Sequence, residues 1–184
     1  MPSRNAQALD AASLAWPQEA DAASDSLEAN HYYMADVRLA RWEDVDRVLK
    51  RESEVLPLLG AAEHAEAEWE SQSERISAAA DGVADEFFSA LDPGIASTVL
   101  ALGAAGCIPF WSCNGGAFGG EHSSPFPIVR FFAKVEHIIV LAVAAEKSGA
   151  KLHQDEHGRC AVSADGVDVM RPFALALREA CSPG

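Results

Sequence analysis

The sequence predicts an α+β fold: a helical N-terminal half packed on a small mixed sheet of about four strands, with two C-terminal helices. Three observations carry that expectation. Apolar residues of the first half recur at helical spacing, as in Trp69, Ile76 and Val83. Two short apolar runs, 107–112 and 128–132, flank a glycine-rich segment. After them, an apolar stretch of helical length over 135–147 precedes two short runs around a turn and a closing helix. At 184 residues one domain is expected, placed over 26–184 behind a mobile tail over 1–25.

Taken in order, the tail is rich in Ala, Asp, Ser and Gln and holds no period, with a short helix near 8–15 and an apolar pair, Leu14 and Trp16, that can anchor it. The loose alternation of 31–39 predicts a short strand. Trp42 opens a helix through Val45, Val48, Leu49 and Leu56 that Pro57 kinks or ends, with Gly60 as a stop. A second helical pattern starts at Ala61, and Gly82 divides it. Asp92 is placed to cap an apolar helix whose first residue is Pro93 and which Gly106 ends. In the strand over 107–112, Pro109 points to a sheet edge or a strand start. A hairpin is expected around Asp155-Glu156-His157-Gly158, and the last helix, over 167–181, carries Pro172 in its first turns.

Charge limits the functional classes. The chain holds 14 Lys and Arg against 28 Asp and Glu, a net of −14. Such a field opposes binding to nucleic acid or an anionic membrane and favours a basic protein partner or a cation. Between Glu52 and Glu86, ten acidic residues face one Arg. Among them Glu66, Glu70 and Glu74, with Glu63 just before, recur at steps of three and four, so they share one helix face. Their mutual repulsion costs a few tenths of a kcal/mol per pair, a cost that a solvated face or a docking surface can carry. No apolar run reaches spanning length, the start lacks a signal-length apolar core, and the four cysteines sit at the edges of apolar runs. A cytoplasmic protein with reduced thiols is the expectation.

Reactive chemistry gathers in the segment 107–127, CIPFWSCNGGAFGGEHSSPFP. Glycines at 115, 116, 119 and 120 free the backbone, and such a loop can turn N–H groups on an anion. No Lys-Ser/Thr follows, so it is not a Walker loop. Cys113 and His122 stand at opposite ends of the loop. If it folds back, His122 can draw the thiol toward thiolate, with Asn114, Glu121, Ser123 or Ser124 orienting the ring. A structural turn between two strands is the competing account. A metal reading would use Cys107, Cys113 and His122, with His153, His157 and Cys160, but no CxxC is present and the last three spread across a hairpin, so no metal site is expected. His137 is expected to pack or cap.

The succession of apolar strand, Ser112-Cys113-Asn114-Gly115, polar loop, strand, apolar helix, glycine turn and hairpin over 106–163 resembles the tRNA wybutosine-synthesising methyltransferase family in topology. The resemblance implies SAM-dependent methylation of tRNA. That activity calls for a basic surface, whereas this chain is acidic and has Gly116 where a basic residue is expected. Topology alone is therefore carried over, without function or residue roles.

The leading functional reading is a soluble acidic protein-binding or neutralising protein, of the bacterial immunity or antitoxin type, docking a basic partner through Glu63, Glu66, Glu70 and Glu74. The alternative is a small enzyme or ligand-binding domain built on the 113–124 loop. There Cys113 is nucleophile or anchor and His122 the base, with Ser112, Asn114, Gly115, Gly116 and Glu121 holding the ligand. A third reading makes Phe110, Trp111, Phe118 and Phe126 an exposed oligomer patch. No motif specifies a cofactor.

Overall fold

The computed structural model describes residues 9–17, 37–80, 82–119 and 122–182. Among them the architecture is α+β, with six α-helices and a four-stranded sheet. Helices α1 (Trp42–Ala61), α2 (Ala65–Ala78), α3 (Val83–Ala90) and α4 (Ala96–Ala104) form the first half. Strands β1 (Ile108–Asn114) and β2 (Pro127–Phe132) follow, then α5 (Ile138–Ser148), the hairpin β3 (Lys151–Gln154) and β4 (Cys160–Ser163), and α6 (Met170–Cys181).

α1 forms because Val45, Val48, Leu49, Val55 and Leu59 make one buried stripe. The Asp44 carboxylate accepts the Arg41 backbone N–H at 3.0 Å, satisfying a donor at the helix entry. Pro57 does not end the helix, which closes next to the expected stop at Gly60. The helix runs through Pro57 to Ala61, with Val55 and Leu59 buried on either side of the exposed proline. Gly82 does separate α2 from α3. The expected strand over 31–39 is not there in its described part: Val37–Leu39 is a 3-10 turn, and 31–36 lie outside the described residues.

α4 is buried along nearly its whole length, which is why its sequence is apolar on all sides. It packs against α1 and α6, and Thr98 Oγ1 ties it to α6 by donating to the Met170 carbonyl at 2.8 Å. Asp92 and Pro93 do not open this helix as expected. They belong to the turn before it, closed by Ile95 N–H donating to the Asp92 carbonyl at 3.2 Å. That leaves the Asp92 side chain free to turn elsewhere.

The sheet order is β1-β2-β4-β3, and every neighbouring pair is antiparallel, so the sheet is not mixed. Pro109 sits on edge strand β1 beside the register shift between Pro109 and Trp111, where a missing N–H is tolerated. Val129, Val162 and Leu152 pair in a row and bury against the helices, together with Phe131 and Phe173. Phe110 is buried and packs on Phe132, ring centroids 4.8 Å apart, so the four aromatics do not form an exposed patch. α5 ends at Gly149, whose φ of +80° is the left-handed cap conformation.

Within the expected tail, residues 9–17 lie against the hairpin. Ala15 N–H donates to the Gly158 carbonyl at 2.9 Å, and Asp10 N–H donates to Gln154 at 2.6 Å. Trp16 meets His137 and carries Lys134 Nζ 4.4 Å over its ring. Among the described residues no helix is long and apolar enough to cross a membrane.

Candidate functional site

β1 delivers Cys113 and Asn114 to its C-terminal end, and β2 begins opposite, with Asn114 paired to Pro127. The chain must leave β1 within van der Waals distance of Phe126. A Cβ at Gly115 would stand 2.6 Å from the Phe126 carbonyl carbon, and φ there is +72°, so the position calls for glycine. Strand alternation sends Ser112 to the face opposite Cys113, away from the thiol.

The loop then brings His122 back over Cys113. Sγ and Nδ1 are 3.7 Å apart. The other ring nitrogen, Nε2, is hydrogen-bonded to the Gly119 carbonyl. A carbonyl only accepts, so Nε2 carries the proton and Nδ1 of the neutral ring presents its lone pair. That lone pair faces both Cys113 and the Asp92 carboxylate, whose Oδ2 is 3.9 Å away. Asp92 is itself held by the Asn114 backbone N–H, which donates to Oδ2 at 3.1 Å. Asn114 is fixed in turn: its amide donates to the Pro93 carbonyl at 3.3 Å and its Oδ1 accepts from Gly116 N–H at 3.0 Å. Gly115 N–H points at the sulfur, 3.4 Å from it.

These contacts decide between the chemistries open to the loop. The N–H groups of Gly115, Gly116 and Gly119 are consumed inside the loop, by Cys113, Asn114 and the Gly116 carbonyl. These three N–H groups therefore do not converge on an outside anion. What converges is a thiol, an imidazole and a carboxylate. Cys113 is buried, at 3% exposure, while Asp92 and His122 line a cavity of about 230 Å³ with Glu66, Trp69 and Phe118.

The two lines of sequence evidence meet at this cavity. A Cβ at Gly119 would stand 3.5 Å from Glu66 Cβ, so the loop edge lies against the acidic helix α2. Glu63, Glu66, Glu70 and Glu74 are all exposed. Glu121 lies outside the described residues. Asp92 was not foreseen as a member of the site, because read along the chain it is a helix cap, and its role depends on Asn114, 22 residues later, being brought against it.

Among the described residues the remaining Cys and His do not assemble. Burial pushes the thiols of Cys107 and Cys160 up, Cys160 to about 11, and raises Cys181 as well. His157 is exposed at the hairpin turn, and His153 bonds the Ser163 hydroxyl at 2.7 Å. His137 accepts the Lys134 backbone N–H at 3.1 Å on Nδ1, a capping contact. A larger cavity, about 430 Å³, lies over β2 and β4. Its polar groups are already matched to one another: Arg159 to Asp155 at 2.7 Å, His153 to Ser163, and Arg130 over the Trp111 ring at 5.0 Å. The smaller cavity is the better candidate because Asp92 and His122 in its wall stand 3.9 Å apart, with the Cys113 thiol beside the imidazole.

Sequence reasoning also missed a buried acid. Glu52 is fully buried on the apolar stripe of α1, and its Oε1 accepts Ser97 N–H at 3.1 Å at the start of α4. A Glu in register with Val45, Val48, Leu49 and Val55 is the signal that would have found it.

Comparison with protein-family models, with curated proteins and with solved structures finds no match.

Proposed function

We propose that the chain is a small enzyme or ligand-binding domain that works through the 113–124 loop, with Cys113 as nucleophile or anchor and His122 as its base. The observation that supports it is the 3.7 Å approach of Cys113 Sγ to a His122 Nδ1 whose lone pair is exposed by the Nε2 contact to Gly119. The chemistry follows from the partners. Nδ1 accepts the thiol proton, Gly115 N–H stabilises negative charge on sulfur, and the Asp92 carboxylate favours the imidazolium that results. The cavity beside His122 and Asp92 is the place for the ligand.

Alkylation kinetics test this reading. With a small reagent at neutral pH, Cys113 is expected to react faster than Cys107, Cys160 and Cys181, whose thiols burial holds protonated. His122→Ala is expected to slow Cys113 by about a hundredfold or more, the lower end of what a positioned base supplies. A Cys113 no more reactive than the other three, or indifferent to His122, sinks the proposal.

A second reading is favoured by a separate observation. Glu63, Glu66, Glu70 and Glu74 are exposed on one face of α2 and its entry, as a docking row for a basic partner requires. On that reading the chain is a neutralising protein of the immunity or antitoxin type.

A further inference from the structure

Asp92, Cys113 and His122 together have the donor set of a divalent metal site. Thiolate sulfur, imidazole nitrogen and carboxylate oxygen are the ligand types that Zn²⁺ takes. Their three donor atoms lie within 4.8 Å of one another, with Sγ to Nδ1 at 3.7 Å and Nδ1 to Oδ2 at 3.9 Å. A tetrahedral zinc with bonds of about 2.0–2.3 Å holds its ligand atoms roughly 3.3–3.7 Å apart. The triangle therefore closes on an ion through side-chain shifts of about an ångström or less.

Independent features point the same way. A metal-binding imidazole characteristically donates its second N–H to a carbonyl or carboxylate, which fixes the tautomer and aims the lone pair. His122 does this through Nε2 to Gly119, and the loop approaches so closely that a Cβ at Gly116 would stand 3.2 Å from His122 Cδ2. Asp92 Oδ2 is oriented by Asn114 N–H. Among the described residues the cavity wall carries the carboxylates of Glu66 and Asp92 and no Lys or Arg, so its field favours a cation.

We infer that the loop binds a divalent ion of the zinc type through Cys113 Sγ, His122 Nδ1 and the Asp92 carboxylate, leaving a coordination position open to the cavity. The inference rests on the loop-centred function in its ligand-binding form, with Cys113 as anchor in place of nucleophile and His122 as ligand in place of base, and names what that site takes. With the ion in place Cys113 is a ligand, and a water or substrate at the open position is the reacting group. Binding sends the thiol proton to solvent and places a sulfur electron pair on the metal, with no change of oxidation state.

The test titrates metal-free full-length protein with Co²⁺, a spectroscopic stand-in for Zn²⁺, and then competes with Zn²⁺. A single equivalent of Co²⁺ is expected to give a thiolate-to-cobalt charge-transfer band that Zn²⁺ removes. Cys113→Ser is expected to abolish the band, and His122→Ala and Asp92→Asn each to weaken binding by at least about tenfold. In the unaltered protein, excess Zn²⁺ is expected to protect Cys113 from alkylation, read by mass spectrometry, which requires no variant to fold. A missing band, a band that survives Cys113→Ser, or undiminished labelling of Cys113 under excess Zn²⁺ overturns the inference. If no ion binds while Cys113 alkylation still depends on His122, the metal falls and the thiol–imidazole function stands. If that dependence is missing too, both fall.

Discussion

Glu52 is an acid buried in the core. It is fully buried, and among the described residues its Oε2 has no hydrogen-bond partner. Burial raises its carboxyl from an ordinary 4.5 to about 7, against the opposing pull of Ser97 and Arg171. The direction of the pH effect follows from linkage. Between those two values the folded chain binds a proton that the unfolded chain has released, so stability falls as pH rises from about 4.5 to about 7 and levels off above. The loss is on the order of 3 kcal/mol. Glu52→Gln keeps an acceptor for Ser97 N–H and cannot ionise. Urea unfolding at about pH 5 and about pH 8 is expected to show its advantage over the unaltered protein growing with pH toward that size. An advantage that does not change with pH would refute the assignment.

Element packing turns on α4. Gly103 lies inside this helix, where alanine is ordinarily better by about 1 kcal/mol. Here a Cβ would stand 2.3 Å from the Val37 carbonyl oxygen and 2.7 Å from Val37 Cγ1, so the 3-10 turn over Val37–Leu39 rests directly on the glycine. Crowding against backbone costs about 1–3 kcal/mol, enough to reverse the propensity. Gly103→Ala is expected to lower the unfolding midpoint, and a raised midpoint would show that this contact yields. The same close approach explains why α4 could be read as buried from its Ala, Leu and Val content, while the segment covering it could not.

At the scale of the molecule, charge and site converge on one side. The acidic row of α2 ends at a cavity that also holds Asp92 and His122. If the row docks a basic protein, replacing Glu63, Glu66, Glu70 and Glu74 together by Gln weakens the complex, and mostly through its association rate. Pull-down followed by stopped-flow association is the measurement; an unchanged rate for the quadruple variant would remove the docking reading. A triple variant, Glu63→Gln, Glu70→Gln and Glu74→Gln, leaves the cavity residue Glu66 in place, and little change in its Cys113 alkylation beside slower partner association separates the two functions experimentally.

The chain's own pattern determined much of this protein. Periodicity placed α1, α2, α5 and the closing helix, the Asp155-Glu156-His157-Gly158 turn placed the hairpin, and Pro109 marked an edge strand. Cys113 and His122 were legible as candidates because thiol and imidazole flank a glycine-rich loop. Tertiary structure alone decided whether they meet, since a loop of this kind can close in many ways and only packing against Phe126 and α2 selects one. It also recruited Asp92, converted Pro57 into an interior helix residue, and turned 37–39 away from strand. The physical reason is common to these cases: local sequence sets which side chains are apolar or reactive, whereas partners far along the chain supply the hydrogen bonds and contacts that fix their positions.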